Sequence, residues 1–86
     1  MPTISKFYGI VIRMYFDDHV PPHFHAMYQG FEAIYTISPF SIYEGGLPSR
    51  ANRLVREWAR LHRDELMEDW EAAVELRSLK KIAPLV

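Results

Sequence analysis

Three of the four histidines of this 86-residue chain fall within seven residues, in His19-Val20-Pro21-Pro22-His23-Phe24-His25. On a strand, side chains two apart share a face, so His23 and His25 point together while Phe24, Ala26 and Tyr28 point into a core. Arg13 and Tyr15 belong to the same outer face of the preceding strand, and Asp17, Asp18 and His19 fall in the loop between. Imidazoles, a guanidinium, a phenol and carboxylates are thereby gathered in a small volume. Three chemistries fit this set. The histidines could be half-buried sheet residues hydrogen-bonded to the loop carboxylates and backbone. Alternatively, the H-x-H pair His23 and His25 could hold a metal ion such as zinc or nickel, with Asp18 or His19 as a third ligand. Or His23 and His25 could act as an acid–base pair on a phosphodiester, as in an RNase, with Arg13 stabilising the developing negative charge. His62 stands apart, on the apolar face of a helix one turn after Trp58, where a hydrogen-bonded core histidine is expected.

A second group of charged residues has an unusual order. Residues 50–63 carry Arg50, Arg53, Arg56, Arg60 and Arg63 against the single acid Glu57, and residues 64–75 carry Asp64, Glu65, Glu68, Asp69, Glu71 and Glu75 with no base. One continuous helix would oppose its own macrodipole, at roughly 0.3–1 kcal/mol per badly placed charge; a second helix starting near Asp64 would relieve part of this. Arg53, Arg56, Arg60 and Arg63 form one stripe at helical spacing. The stripe is either a solvated face, with Arg60 and Asp64 as an i,i+4 pair, or a surface that docks phosphates or an acidic partner. The net charge of -1 argues against a generic nucleic-acid binder, but it is a sum over a basic half-helix and an acidic one, so a short RNA stays open as a ligand.

The elements that must position these residues can be read from patterning. Ile4 to Phe16 reads as one alternating strand interrupted at Gly9 by a bulge or bend, with Phe7, Val11, Arg13 and Tyr15 on the face opposite Ile10, Ile12 and Met14. Asp17 to Pro22 is a loop, because two prolines cannot pair within a sheet. Strands follow over His23–Tyr28 and Phe31–Ile37, joined by a tight turn at Gln29-Gly30, and a short one over Ile42–Glu44. Ser49 is the expected N-cap of a helical half running through Leu54, Val55, Trp58, Leu61, Leu66, Trp70 and Val74, with the register drifting after His62. In the tail from Ser78, Ile82 and Leu85 should tuck against the body.

These elements predict an α+β fold: a small antiparallel sheet of three to four strands, then one long bent helix or two helices packed on one face. The chain is expected to be a single domain over 1–86, with a β meander over 1–46, a helical part over 47–77 and a tail over 78–86. With 49% apolar residues it should fold unaided, and with no cysteine it has neither disulfides nor a thiol nucleophile. No signal peptide or membrane span is visible, so a cytoplasmic location is expected. Helices on one face leave Phe7, Val11, Tyr15 and Met27 uncovered on the other, and a partner chain or a homodimer is the expected cover.

The stretches Pro2–Phe16 and Asp18-His19-Val20-Pro21-Pro22-His23-Phe24-His25-Ala26 resemble a small bacterial family known as domain of unknown function 4160. So do Gly45-Gly46-Leu47-Pro48, Leu54-Val55-Arg56-Glu57-Trp58, Leu61-His62, Trp70 and Lys81-Ile82-Ala83-Pro84-Leu85. The resemblance brings no established activity. It implies a companion small protein encoded nearby, of the family called domain of unknown function 2442, in pairs sometimes labelled toxin–antitoxin. A protein-interaction component of such a two-gene module is therefore the leading expectation, with an RNase-like enzyme or a metal-binding protein as alternatives.

Overall fold

The computed structural model describes residues 2–86; Met1 lies outside the described residues. Five strands, β1 (Thr3–Phe7), β2 (Ile10–Arg13), β3 (His23–Tyr28), β4 (Phe31–Thr36) and β5 (Ser41–Gly45), form one antiparallel meander in the order β1-β2-β3-β4-β5. Two helices follow, α1 (Ser49–Leu61) and α2 (Arg63–Val74). The α+β class stands, with five strands where three or four were expected.

The extra strand comes from Tyr8-Gly9. Both residues have positive φ, 50° and 80°, and close a two-residue hairpin that pairs Phe7 with Ile10. Gln29-Gly30, with φ of 45° and 84°, makes the same turn between Tyr28 and Phe31. Such turns match the twist of paired strands and need φ > 0 at both central positions. What reads as one interrupted strand is therefore two. The hairpin also resets the alternation, so Phe7 lies on the core face beside Ile10 rather than on the outer face.

The inner face of the sheet presents Ile10, Ile12, Phe24, Ala26, Ala33 and Tyr35, all buried. Helix α1 packs on it through Ala51, Val55, Trp58 and Ala59. Trp58 is the centre of this layer, with ring centroids 5.3 Å from Phe7 and 5.9 Å from Phe24. Full burial of an indole in an apolar cluster is among the largest single contributions a small core receives. Its Nε1–H donates to the Ala83 carbonyl at 2.8 Å, the Ile82 N–H to the Ile4 carbonyl at 2.8 Å, and Ile82 is itself buried. The tail is thus docked along β1, as expected for Ile82 and Leu85.

The helical half breaks at His62, whose φ of -121° lies outside the helical range. The break relieves part of the polarity conflict, although α1 still has no acid in its first turn and α2 no base in its last. Helix α1 ends with Arg60 in its last turn, and α2 begins with Asp64 and Glu65 in its first, so each suits the local end of its own dipole. Pro48, not Ser49, is the N-cap of α1, without a side-chain cap bond; Ser49 is already helical. Helix α2 packs against the β2–β3 loop, where the Asp17 N–H donates to the Ala73 carbonyl at 3.1 Å, and its Trp70 ring lies 5.1 Å from that of His23. Neither helix covers the middle of the outer face, where Val11, Arg13, His25, Met27 and Ile34 are half-buried. Among the described residues no helix is long and apolar enough to cross a membrane.

Candidate metal centre

Pairing of β2 with β3 and of β3 with β4 sets the site. The register aligns Arg13 with His25, His25 with Ile34 and His23 with Thr36, so the two imidazoles stand together on the outer face as the alternation predicts. The β2–β3 loop folds back over them. Its Asp17 has a positive φ of 53°, and the next residue, Asp18, turns its carboxylate onto the histidines. Asp18 Oδ2 is 2.9 Å from His23 Nε2 and 3.7 Å from His25 Nε2. The three side chains are mostly withdrawn from solvent, at 19%, 2% and 13% exposure for Asp18, His23 and His25.

The remaining ring nitrogens decide what these contacts mean. His23 Nδ1 lies 2.6 Å from the Pro21 carbonyl, which can only accept, so Nδ1 carries a hydrogen. His25 Nδ1 lies 3.1 Å from Glu32 Oε2 and donates to that carboxylate. Both Nε2 atoms are then left with lone pairs aimed at the same Asp18 oxygen. His25 Nε2 is buried and has no hydrogen-bond partner. Three acceptors converging in this way repel one another unless a positive charge, a proton or a metal ion, sits among them.

The electrostatics of Asp18 suit a ligand. Burial works against its ionisation, but the His19 N–H at 2.8 Å and, when a proton occupies His23 Nε2 in place of a metal ion, the hydrogen bond and charge of that imidazole outweigh it and hold the carboxyl below its ordinary value. An ionised carboxylate and two imidazole lone pairs form a His2Asp donor set. Ligands at about 2.0–2.1 Å from a tetrahedral ion are roughly 3.3 Å apart, and the observed 2.9 and 3.7 Å bracket that separation. The Nδ1 bonds to Pro21 and Glu32 are the outer contacts that fix the tautomer and orientation of metal-bound histidines.

Other predicted site residues fall around this centre or away from it. Arg13 is the cross-strand neighbour of His25, with its Nε buried and unpaired, and Tyr15 meets the His25 ring edge-on at 4.5 Å. His19 is largely exposed, its Nε2 3.7 Å from the other Asp18 oxygen. His62 is not part of the cluster; it bonds to Glu65 and packs its ring 5.6 Å from Trp58. Of the arginine stripe, Arg56, Arg60 and Arg63 border one groove with Ile37, Phe40 and Ala59, and Arg53 does not. No ion pair joins Arg60 to Asp64. Glu32 was missed as a site residue, although the Gln29-Gly30 hairpin places it diagonal to His25 on one face.

No curated protein and no solved structure matches the chain. A family model described as a domain of unknown function (DUF4160) matches residues 9–71, a span that contains the whole Asp18–His23–His25 cluster and all three arginines that border the groove at Phe40, and the chain belongs to that family.

Proposed function

We propose that this protein binds one divalent transition-metal ion through Asp18 Oδ2, His23 Nε2 and His25 Nε2. The observation that carries the reading is the convergence of three acceptors within 4.8 Å of one another while both Nδ1 atoms are already engaged. A donor set of two imidazoles and one carboxylate suits zinc or nickel better than calcium or magnesium, which prefer oxygen alone. When bound, such an ion polarises whatever fills its remaining coordination position. Arg13 stands beside His25 and would favour an anion there. A proton-shuttling role for His23 has less support, because the residue is 2% exposed and both of its nitrogens face fixed acceptors. Equilibrium dialysis of the tag-free protein against zinc or nickel, with elemental analysis, tests the reading. One ion per chain is expected, and its loss in His23→Asn and His25→Asn; a protein that stays metal-free at micromolar zinc overturns it.

A second reading, favoured by the open outer face with Val11, Met27 and Ile34, is that the protein is an interaction component of a two-gene module. Size-exclusion chromatography with light scattering, alone and with the neighbouring gene's product, tests this. A complex or a dimer is expected, and a monomer that ignores the neighbour overturns it.

A further inference from the structure

The groove between α1 and the β4–β5 turn is chemically lopsided. It measures about 310 Å³, its floor is Ile37, Phe40 and Ala59, and its rim is Arg56, Arg60 and Arg63. The floor is held rigid from below: Phe40 stacks on Tyr35 with centroids 5.1 Å apart, and the Tyr35 hydroxyl donates to Asn52 Oδ1 at 2.8 Å. The three guanidiniums are exposed, and among the described residues none takes part in an ion pair. No acid lines this groove, although Asp64 and Glu65 border a neighbouring pocket with Arg60 and Arg63. Arg56 and Arg60 come from α1 and Arg63 from the first residue of α2.

We infer that this groove docks an acidic segment of a partner polypeptide, with one apolar side chain of the segment on Phe40 and flanking carboxylates on Arg56, Arg60 and Arg63. The chemistry of the lining selects this occupant. Guanidiniums are donors only, and the floor side chains offer neither donors nor acceptors. A carboxylate needs nothing but donors, and an aliphatic or aromatic side chain needs nothing from the floor. A nucleobase seated there would bury its amino and imino hydrogens without an acceptor, which is unfavourable. The inference rests on the interaction reading above and names the partner's chemistry; it is independent of metal binding, because no groove residue belongs to the Asp18–His23–His25 cluster.

Fluorescence polarisation tests it with a labelled nonapeptide in which one leucine is flanked on each side by two glutamates. Binding is expected, weakening as salt rises, and falling about tenfold for each guanidinium removed in Arg56→Ala and Arg60→Ala. All three arginines are exposed, so these variants fold, and unchanged circular dichroism confirms it. A peptide with the leucine replaced by glycine should also bind at least several-fold more weakly. Equal binding by the arginine variants, equal binding by the glycine peptide, or tighter binding of a labelled nonamer of oligouridylate overturns the inference. Self-association of the protein that disappears in Arg60→Ala also overturns it, since the occupant is then a second copy. A companion protein that binds wild type and Arg56→Ala/Arg60→Ala equally preserves the interaction reading and removes only the groove.

Discussion

Replacing Glu32 by alanine isolates the outer contact of the candidate metal centre. The carboxylate is 53% exposed and reaches the cluster only through His25 Nδ1, at 3.1 Å. The change removes no ligand and no core group, so the metal-free protein should lose less than about 1 kcal/mol, the range of exposed ion pairs. Metal affinity should fall more, by roughly 10- to 100-fold, because the bond fixes the ring and leaves its Nε2 free to coordinate. At a zinc concentration about 100 times the wild-type Kd, the wild type gains about 2.7 kcal/mol of stability. For a domain of this size that is roughly 10–20 °C in Tm. The variant at the same zinc concentration is left with a gain of roughly 0.4–1.4 kcal/mol. Thermal melts of tag-free wild type and Glu32→Ala, each with and without zinc, read both numbers. A variant that melts like the wild type in both conditions refutes the outer-contact argument. A variant that unfolds several degrees earlier without metal refutes the claim that Glu32 acts only on the ring.

Two further predictions concern the tail. Trp58→Phe removes the hydrogen bond to the Ala83 carbonyl and leaves space in a fully buried site; a loss of about 1–3 kcal/mol in urea unfolding is expected, with faster tryptic cleavage at Lys80 and Lys81. Unchanged cleavage would mean that the tail is held without the indole. Asp69 is buried, with Oδ1 accepting the Lys80 N–H at 2.9 Å and Oδ2 unpaired, and burial raises its carboxyl above the ordinary value. A raised folded-state pKa gives stability that is full below the unfolded value and is lost as pH rises through the folded one. Asp69→Asn keeps the acceptor for Lys80 without a charge to desolvate, so its stability relative to wild type should improve as pH rises out of the ordinary carboxylate range and level off once Asp69 is ionised in the folded protein too. A difference that does not vary as pH rises contradicts the assignment.

Legibility of the site in the sequence was uneven for physical reasons. The period-2 rule placed His23 and His25 together because β3 is regular from His23 to Tyr28, and the paired prolines placed Asp18 in the loop that folds over them. The Tyr8-Gly9 hairpin escaped because a tyrosine at its first central position is not the asparagine or aspartate that usually signals such a turn. That one turn cost a strand and put Phe7 on the wrong face. The break at His62 was visible as a drift in register, and the acids after it gave its electrostatic reason. Helical spacing put Arg56, Arg60 and Arg63 on one stripe, but their meeting with Phe40 was not readable, because Phe40 comes from a distant turn. The Nδ1 partners of the histidines were out of reach for a different reason. The Pro21 carbonyl is backbone, and Glu32 enters only through the hairpin register.

The central claim is that both histidines offer Nε2 to a metal ion while Nδ1 keeps its hydrogen. Long-range proton–nitrogen NMR of the imidazoles, recorded before and after one equivalent of zinc, measures this nitrogen by nitrogen. The account predicts that His23 and His25 shift together, with the pattern of Nε2 coordination and a protonated Nδ1, while His19 and His62 stay where they were. Coordination through Nδ1, or zinc that leaves His23 and His25 unmoved, would contradict it.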